Sequence, residues 1–238
     1  MALVKKTEGI VLQREDFRSQ SKFITLFSLD YGRLALLAKG GFHPKRYLSG
    51  PLEPFNLIEV IFYHREGRDY HLLSETSLLL HFPHFRTDGK RFYYASLLAS
   101  FLIKTLPREV RQPSLYRLSL RTLSLLDEEG KENFLYAFFL KSSSLLGYRP
   151  HLLSCLRCGK GLKSFFFSPE KGGFLCGRCR NGEGREFLPA EAERMRGLLF
   201  LPLRKIGGLE LGAKEKEAIR DFLCHYFHFP LPNNPFLI

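Results

Sequence analysis

Four of the five cysteines stand in one arrangement: Cys155-Leu156-Arg157-Cys158, seventeen intervening residues, then Cys176-Gly177-Arg178-Cys179. Two Cys-x-x-Cys knuckles at such a separation supply the sulfurs of one tetrahedral four-thiolate site, each giving a pair from a tight turn. Gly159 and Gly177 stand where those turns call for a left-handed or crowded backbone. The expectation is one structural Zn²⁺ held by Cys155, Cys158, Cys176 and Cys179. A rubredoxin-like iron uses the same donors, and a redox couple would need only one pair, set at a helix start beside a strand. A closed shell of four thiolates leaves no open position for a reacting water, and no His-x-Glu precedes the knuckles, so zinc-deaminase chemistry is not indicated. Cys224, near the apolar stripe of the last helix, reads as a buried small hydrophobe and not a fifth ligand. The eight histidines show no H-E-x-x-H spacing, and no Walker loop, GxGxxG or G-x-S-x-G occurs. Catalytic residues are not expected.

The second chemistry in the chain is recognition of polyanions. Lys and Arg number 36 against 24 Asp and Glu, a net charge of +12, which favours nucleic acid as partner. No acid occurs between Asp30 and Glu53, so Lys39, His43, Lys45, Arg46 and Tyr47 form an unopposed basic loop, with Phe42 and Tyr47 as candidate stacking platforms. Arg14, Arg18 and Lys22 make a second cluster, diluted by Glu15 and Asp16. Residues 1–80 carry a net of only +2, whereas 81–150 and 151–238 carry +5 each. Cations outside the first eighty residues therefore extend the candidate surface. Arg108, Arg111, Arg117 and Arg121 belong to a helical stretch. Arg157, Arg178 and Arg180, with Lys160 and Lys163, sit inside or beside the knuckles.

These residues must be positioned by two kinds of element. The first eighty residues alternate in hydrophobicity with period two: Gly9–Leu12, Lys22–Leu29, Arg33–Lys39, Phe55–Tyr63 and Tyr70–Ser74 read as strands, with Asp30-Tyr31-Gly32 as a hairpin turn. Five short strands with one long connection suit an OB-type barrel, and an SH3-like barrel gives nearly the same string. After Pro83 the period becomes 3.6. Phe92 to Leu106 is helical and stops at Pro107. Pro113 opens a second helix bearing Leu115, Leu118, Thr122 and Leu125 on one face, and Glu132 to Leu146 forms a third, ended by Gly147 and Pro150. Ser142-Ser143-Ser144 reads as a polar run at the end of that helix. His81 and His84 read as local hydrogen-bonding residues. Beyond the cysteines, Pro189 starts a fourth helix, and Ile219, Phe222, Leu223, Tyr226 and Phe227 form the stripe of a last one. No apolar run reaches the ~18 residues of a membrane span, and Met1 to Asp16 holds no signal-peptide core. A protein kept inside the cell keeps its thiols reduced, which favours metal over disulfides.

Three segments carry a resemblance to one family, the bacterial recombination mediator RecO. The first comprises Gly9-Ile10-Val11-Leu12, Ile24-Thr25-Leu26-Phe27, Tyr31-Gly32-Arg33, Ala38-Lys39-Gly40 and Leu52-Glu53-Pro54-Phe55. Leu80-His81-Phe82-Pro83 is the second. The most specific is Leu146-Gly147-Tyr148-Arg149-Pro150, running into Cys155, Cys158-Gly159, Gly172-Gly173-Phe174-Leu175-Cys176 and Cys179. The resemblance covers nearly the whole chain and weakens after about residue 200. Two departures stand out: the loop from Gly40 to Ser49 is less arginine-rich than in many relatives, and Ser19-Gln20-Ser21 replaces an acidic residue usual before the second strand. The resemblance implies an α+β protein, with an N-terminal OB-fold barrel over 1–80, a helical domain over 81–150 and 185–238, and an inserted four-cysteine zinc finger over 151–184.

It also implies a non-enzymatic role. Members bind single- and double-stranded DNA, anneal complementary strands, and act with RecR, and often RecF, to place RecA on DNA covered by the single-stranded-DNA-binding protein. A cytoplasmic, nucleoid-associated location follows from that role, with neither a membrane nor a small-molecule substrate. Two rival classes remain on the residues alone. One is a zinc-dependent nucleic-acid-processing enzyme. The other is an adaptor whose basic surface meets acidic segments such as the tail of the single-stranded-DNA-binding protein.

Overall fold

A computed structural model describes residues 3–17, 21–39 and 50–232. The chain divides into two compact units, Met1–Asp127 and Glu128–Ile238.

The first unit is built on strands β1 (Leu3–Phe17), β2 (Ser21–Ser28), β3 (Gly32–Ala38), β4 (Leu57–His64) and β5 (His71–Leu80). They close a barrel in the order β1-β2-β3-β5-β4. β1 is long enough to serve two neighbours. Its first half pairs with β4 and its second with β2, and a bulge between Val11 and Gln13 bends it from one to the other. Gly9 pairs on both sides, and a Cβ there would lie 2.6 Å from the Leu26 side chain, so only glycine fits. Closure comes from a parallel pairing of just two residue pairs, Leu36 with His71 and Leu37 with Leu72. Inward positions (Val11, Ile24, Leu26, Leu34, Leu36, Ile58, Val60 and Phe62) fill the barrel.

Helices α1 (Gly89–Thr105) and α2 (Pro113–Glu129) follow a short 3-10 turn at Pro83–Arg86. Asp88 caps α1 by accepting from the Lys90 and Arg91 N–H groups (2.9 and 3.2 Å), and the helix stops before Pro107. The change from strand to helix falls at residue 80, as the periodicity indicates, yet α1 and nearly all of α2 cluster with the barrel. The physical reason is the outer face of β2: Phe27 is apolar there and is covered by Tyr116 of α2 (5.6 Å, edge to face), whose hydroxyl donates to Glu8 (3.1 Å). His84 meets Asp127 at 3.0 Å, so its side-chain bond reaches forty-three residues along the chain and is not the local one expected. Phe55 takes φ = +73°, a costly conformation for a bulky residue, worth about 1–3 kcal/mol. Its N–H donates to Val11 O (2.7 Å) beside the β1 bulge.

The second unit holds α3 (Glu132–Leu145), strands β6 (Phe165–Ser168), β7 (Gly173–Leu175) and β8 (Arg185–Phe187), then α4 (Pro189–Phe200) and α5 (Ala213–Phe227). The end of α3 follows the expected stop signal. Gly147 at φ = +93° lets the Tyr148 N–H return to Ser143 O (2.8 Å) and Gly147 N–H to Ser144 O (3.3 Å). Ser142 and Ser143 are buried, and the Ser143 hydroxyl bonds back to Phe139 O within the helix. The strands form an antiparallel sheet, β7-β6-β8. Alternation along β6 separates two cores: Phe167 joins Phe174 and Phe187 on one side, while Phe166 points to Cys155 and Leu175 on the other. On α5, Ile219, Phe222 and Leu223 are buried as the pattern requires. Cys224 is not: it is exposed. One residue past Leu223 is a rotation of about 100° on a helix, which carries the thiol off the apolar stripe.

Candidate metal centre and nucleic-acid surface

The sheet β7-β6-β8 carries the cysteine knuckles. Sγ atoms of Cys155, Cys158, Cys176 and Cys179 all lie within 4.8 Å of one another. Cys158 and Cys176 sulfurs are 4.0 Å apart, far beyond a disulfide and close to the ~3.8 Å edge of a tetrahedron with metal–sulfur bonds of ~2.3 Å. Backbone bonds hold each turn. Gly159 N–H donates to Cys155 O (2.8 Å), Cys155 N–H to Lys160 O (2.9 Å), and Cys179 N–H to Cys176 O (3.0 Å). Gly159 is left-handed at φ = +70°, while Gly177 is crowded, its Cβ position 3.1 Å from Ser164 Oγ.

Burial works against a charged Cys155, but N–H groups of Cys158, Cys176 and Arg157 aimed at its sulfur outweigh that and bring its pKa down to about 6. Cys179 is pushed up to about 12, first by its hydrogen bond with Cys176 and then by burial and the other sulfurs. Four thiols this close cannot all ionise alone. A divalent cation removes the repulsion, so the donor set suits a soft divalent metal and leaves no position for a reactant. Cys224 is not among the clustered sulfurs.

The cations proposed from sequence separate into three groups. His43, Lys45, Arg46 and Tyr47, with Phe42, lie outside the described residues, as does Arg18. A second group is already engaged. Arg14 pairs with Glu53, and Lys22 is buried and pairs with Asp16 at 2.7 Å, its strand partner in register, holding that carboxyl below its ordinary range. Arg157 donates to Cys179 O (2.7 Å), tying one knuckle to the other, and the Arg180 guanidinium lies 4.3 Å over the Phe166 ring. Arg108 and Arg111 face Asp69 and Asp30. These side chains shape the site more than they offer charge.

The third group is exposed and has no ion-pair partner among the described residues. It comprises Lys39 after β3, Arg117 and Arg121 one turn apart on α2, and Lys160, Lys163 and Arg178 around the knuckles. Its members occur in both units.

Two constellations are not read from the sequence. At one end of the barrel, Phe23 of β2 lies edge to face with Phe17 (4.6 Å) and with Tyr70 of the β4–β5 connection (5.3 Å). The local signal is Phe23 between the inward-facing Lys22 and Ile24. The second joins His64, His71 and Glu109. Glu109 Oε1 is 3.0 Å from His71 Nε2, and its Oε2 is 3.3 Å from His64 Nε2. His71 Nδ1 accepts the Arg65 N–H (3.1 Å), so the ring proton sits on Nε2 and points at Glu109. A metal-ligating histidine has the opposite polarity, donating through its second nitrogen. The trio is therefore a hydrogen-bonded clasp, holding the turn after α1 to β4 and β5.

Comparison with known proteins decides the family. The model for Recombination protein O N terminal matches residues 1–82, and that for Recombination protein O C terminal matches residues 86–236. The chain belongs to the RecO family. Among curated relatives, the DNA repair protein RecO of Pelotomaculum thermopropionicum is 32% identical over 95% of this chain and 89% of its own length. DNA repair protein RecO of Caldanaerobacter subterraneus is 32% identical over 73% of the chain and 70% of that protein. The Chlorobium limicola RecO protein is 28% identical, covering 98% and 95%. The junction between the two RecO models falls at the 3-10 turn Pro83–Arg86, where the strands give way to helices.

Proposed function

We propose that this chain is a DNA-binding and strand-annealing recombination mediator that works with RecR, and with RecF, to load RecA onto single-stranded DNA held by the single-stranded-DNA-binding protein. The observation that carries the reading is the RecO family match across both halves of the chain. The geometry agrees with a binding role. Exposed cations with no ion-pair partner among the described residues stand on both units, and the cysteine cluster is a closed donor set.

In this reading the barrel is of OB type, a five-stranded closed topology whose β3–β5 contact is parallel. Residues 151–184 are an inserted finger around one structural Zn²⁺, so the metal keeps Arg178, Lys160 and Lys163 on a fixed frame. Phe17, Phe23 and Tyr70 serve as a platform for bases, with Lys39 at the end of β3 supplying positive charge. The mechanism is electrostatic. Lysines and arginines neutralise two strands at once, which lowers their mutual repulsion and raises the local concentration of pairing partners. No covalent bond changes.

The test is annealing of complementary oligonucleotides by the purified protein across a salt series, with metal content measured on the same sample. Affinity for single strands should fall with a log–log slope of about −0.7 per neutralised phosphate. An affinity indifferent to salt, or no acceleration of duplex formation, would refute the proposal.

A further inference from the structure

We propose that the cleft between β1 and α1 accepts an unstacked nucleobase of single-stranded DNA. This deepens the DNA-binding reading above and depends on it. The cavity measures about 390 Å³, lies within the first compact unit, and falls within the roughly 300–1,000 Å³ typical of ligand sites.

Its shape follows from three local features. The bulge in β1 turns Leu12, Gln13 and Arg14 toward the opening. On α1, Phe92 and Ile103 are bulky, while Ser96, Ala99 and Ser100 between them leave a notch. Phe55 forms the back wall, its left-handed backbone setting the ring edge to face against Phe85 (5.5 Å) and Phe92 (5.4 Å). Phe92 nevertheless remains 47% exposed, an aromatic ring standing at the mouth of a cavity.

The lining sorts by chemistry into what a nucleotide presents. Phe92 offers a stacking surface. Gln13 Nε2 already donates to Glu15 (2.7 Å) and the Ser96 hydroxyl to Phe92 O (2.8 Å). The Gln13 carbonyl oxygen and the Ser96 and Ser100 hydroxyl oxygens are therefore what the lining offers to the donor groups of a base edge. Arg14 and Lys104 bring positive charge to the lining, and no carboxylate belongs to it. Arg14 is also held by Glu53, which lies outside that lining. A purely apolar ligand would leave the polar half of the cleft unused. A duplex keeps its bases stacked and their edges paired, so only an unpaired or extruded base reaches such a pocket.

The chain has no tryptophan, so Phe92→Trp places one tryptophan, excited at longer wavelength than the tyrosines, at the mouth of the cleft. It is titrated with an oligothymidylate and with an abasic strand of equal length, while anisotropy of end-labelled strands records binding separately. The base-bearing strand should quench the tryptophan to saturation, and the abasic strand, with the same phosphates, should bind without quenching. In the otherwise native protein, Phe92→Ala should reduce the preference for the base-bearing over the abasic strand by roughly 5-fold or more, the low end for removal of one stacked base. Arg178→Ala should weaken both strands alike. Equal quenching by the two strands, or binding with no quenching, overturns the cleft while leaving DNA binding intact. Absence of any binding at low salt overturns both readings.

Discussion

Acidification should destabilise the barrel unit through one ring, that of His71. The side chain is only 2% exposed, and both nitrogens are committed in the neutral form: Nδ1 accepts from Arg65 N–H and Nε2–H donates to Glu109. A second proton would place an N–H at Nδ1 against the Arg65 N–H, donor facing donor. Burial also disfavours the charged ring. Glu109 pulls the other way, but burial prevails over it, and the folded-state pKa lies below the ordinary 6.5. His64, Glu109 and Lys5 are the charged or titratable groups that act on the ring.

As pH falls through 6.5 the unfolded chain takes up a proton at this position before the folded one does, so stability is greatest above 6.5 and declines below it. One proton sets the ceiling, about 1.4 kcal/mol per pH unit. Glu109 acts in the same direction at lower pH. Burial raises its pKa, hydrogen bonds from His64 and His71 outweigh that, and its net value lies below 4.5, so its contribution is lost as pH falls below that range.

Urea unfolding of the wild type and of His71→Gln, between about pH 8 and about pH 5.5, isolates this ring from the other histidines. The variant should be less stable at the alkaline end, because the clasp is gone. Its decline on acidification should be shallower by up to about 1.4 kcal/mol per pH unit. Parallel pH profiles for the two proteins would refute the reasoning, because they would mean His71 titrates as an exposed ring.

Removing metal with a chelator, or changing Cys176→Ser, should abolish amide-exchange protection across the β7-β6-β8 sheet while the barrel strands keep theirs. A structural zinc contributes about 10 kcal/mol or more, and strands of three and four residues cannot replace it; retained protection at Phe166 and Leu175 would rule this out. Arg117→Ala with Arg121→Ala should lower single-strand affinity and reduce the salt slope by about 0.7 for each phosphate no longer neutralised, with melting behaviour nearly unchanged since both side chains are exposed; an unchanged slope in salt titrations would remove α2 from the DNA surface.

The features legible in the sequence are those whose physics is local. The knuckles are legible because four sulfurs converge from two short turns, and spacing alone dictates that. Alternation along Lys22–Leu29 and Arg33–Lys39 reveals β2 and β3, since period two is a property of the strand itself. Gly147 and Pro150 announce the end of α3 because a left-handed residue and a proline act within one turn.

What tertiary structure alone decided is the fate of individual charges and rings. Arg14 and Lys22 read as free cations until Glu53 and Asp16 arrive beside them, one across thirty-nine residues and the other across a hairpin. His64, His71 and Glu109 share no sequence pattern, and they meet because the turn after α1 packs on the ends of β4 and β5. Cys224 departs from its expected burial because one residue of helical rotation separates the core from solvent. Barrel closure through two parallel residue pairs likewise chooses among strand orders that the same alternating string permits. Local propensity acts over a few residues, whereas the pairing of a charge depends on what the completed fold sets next to it.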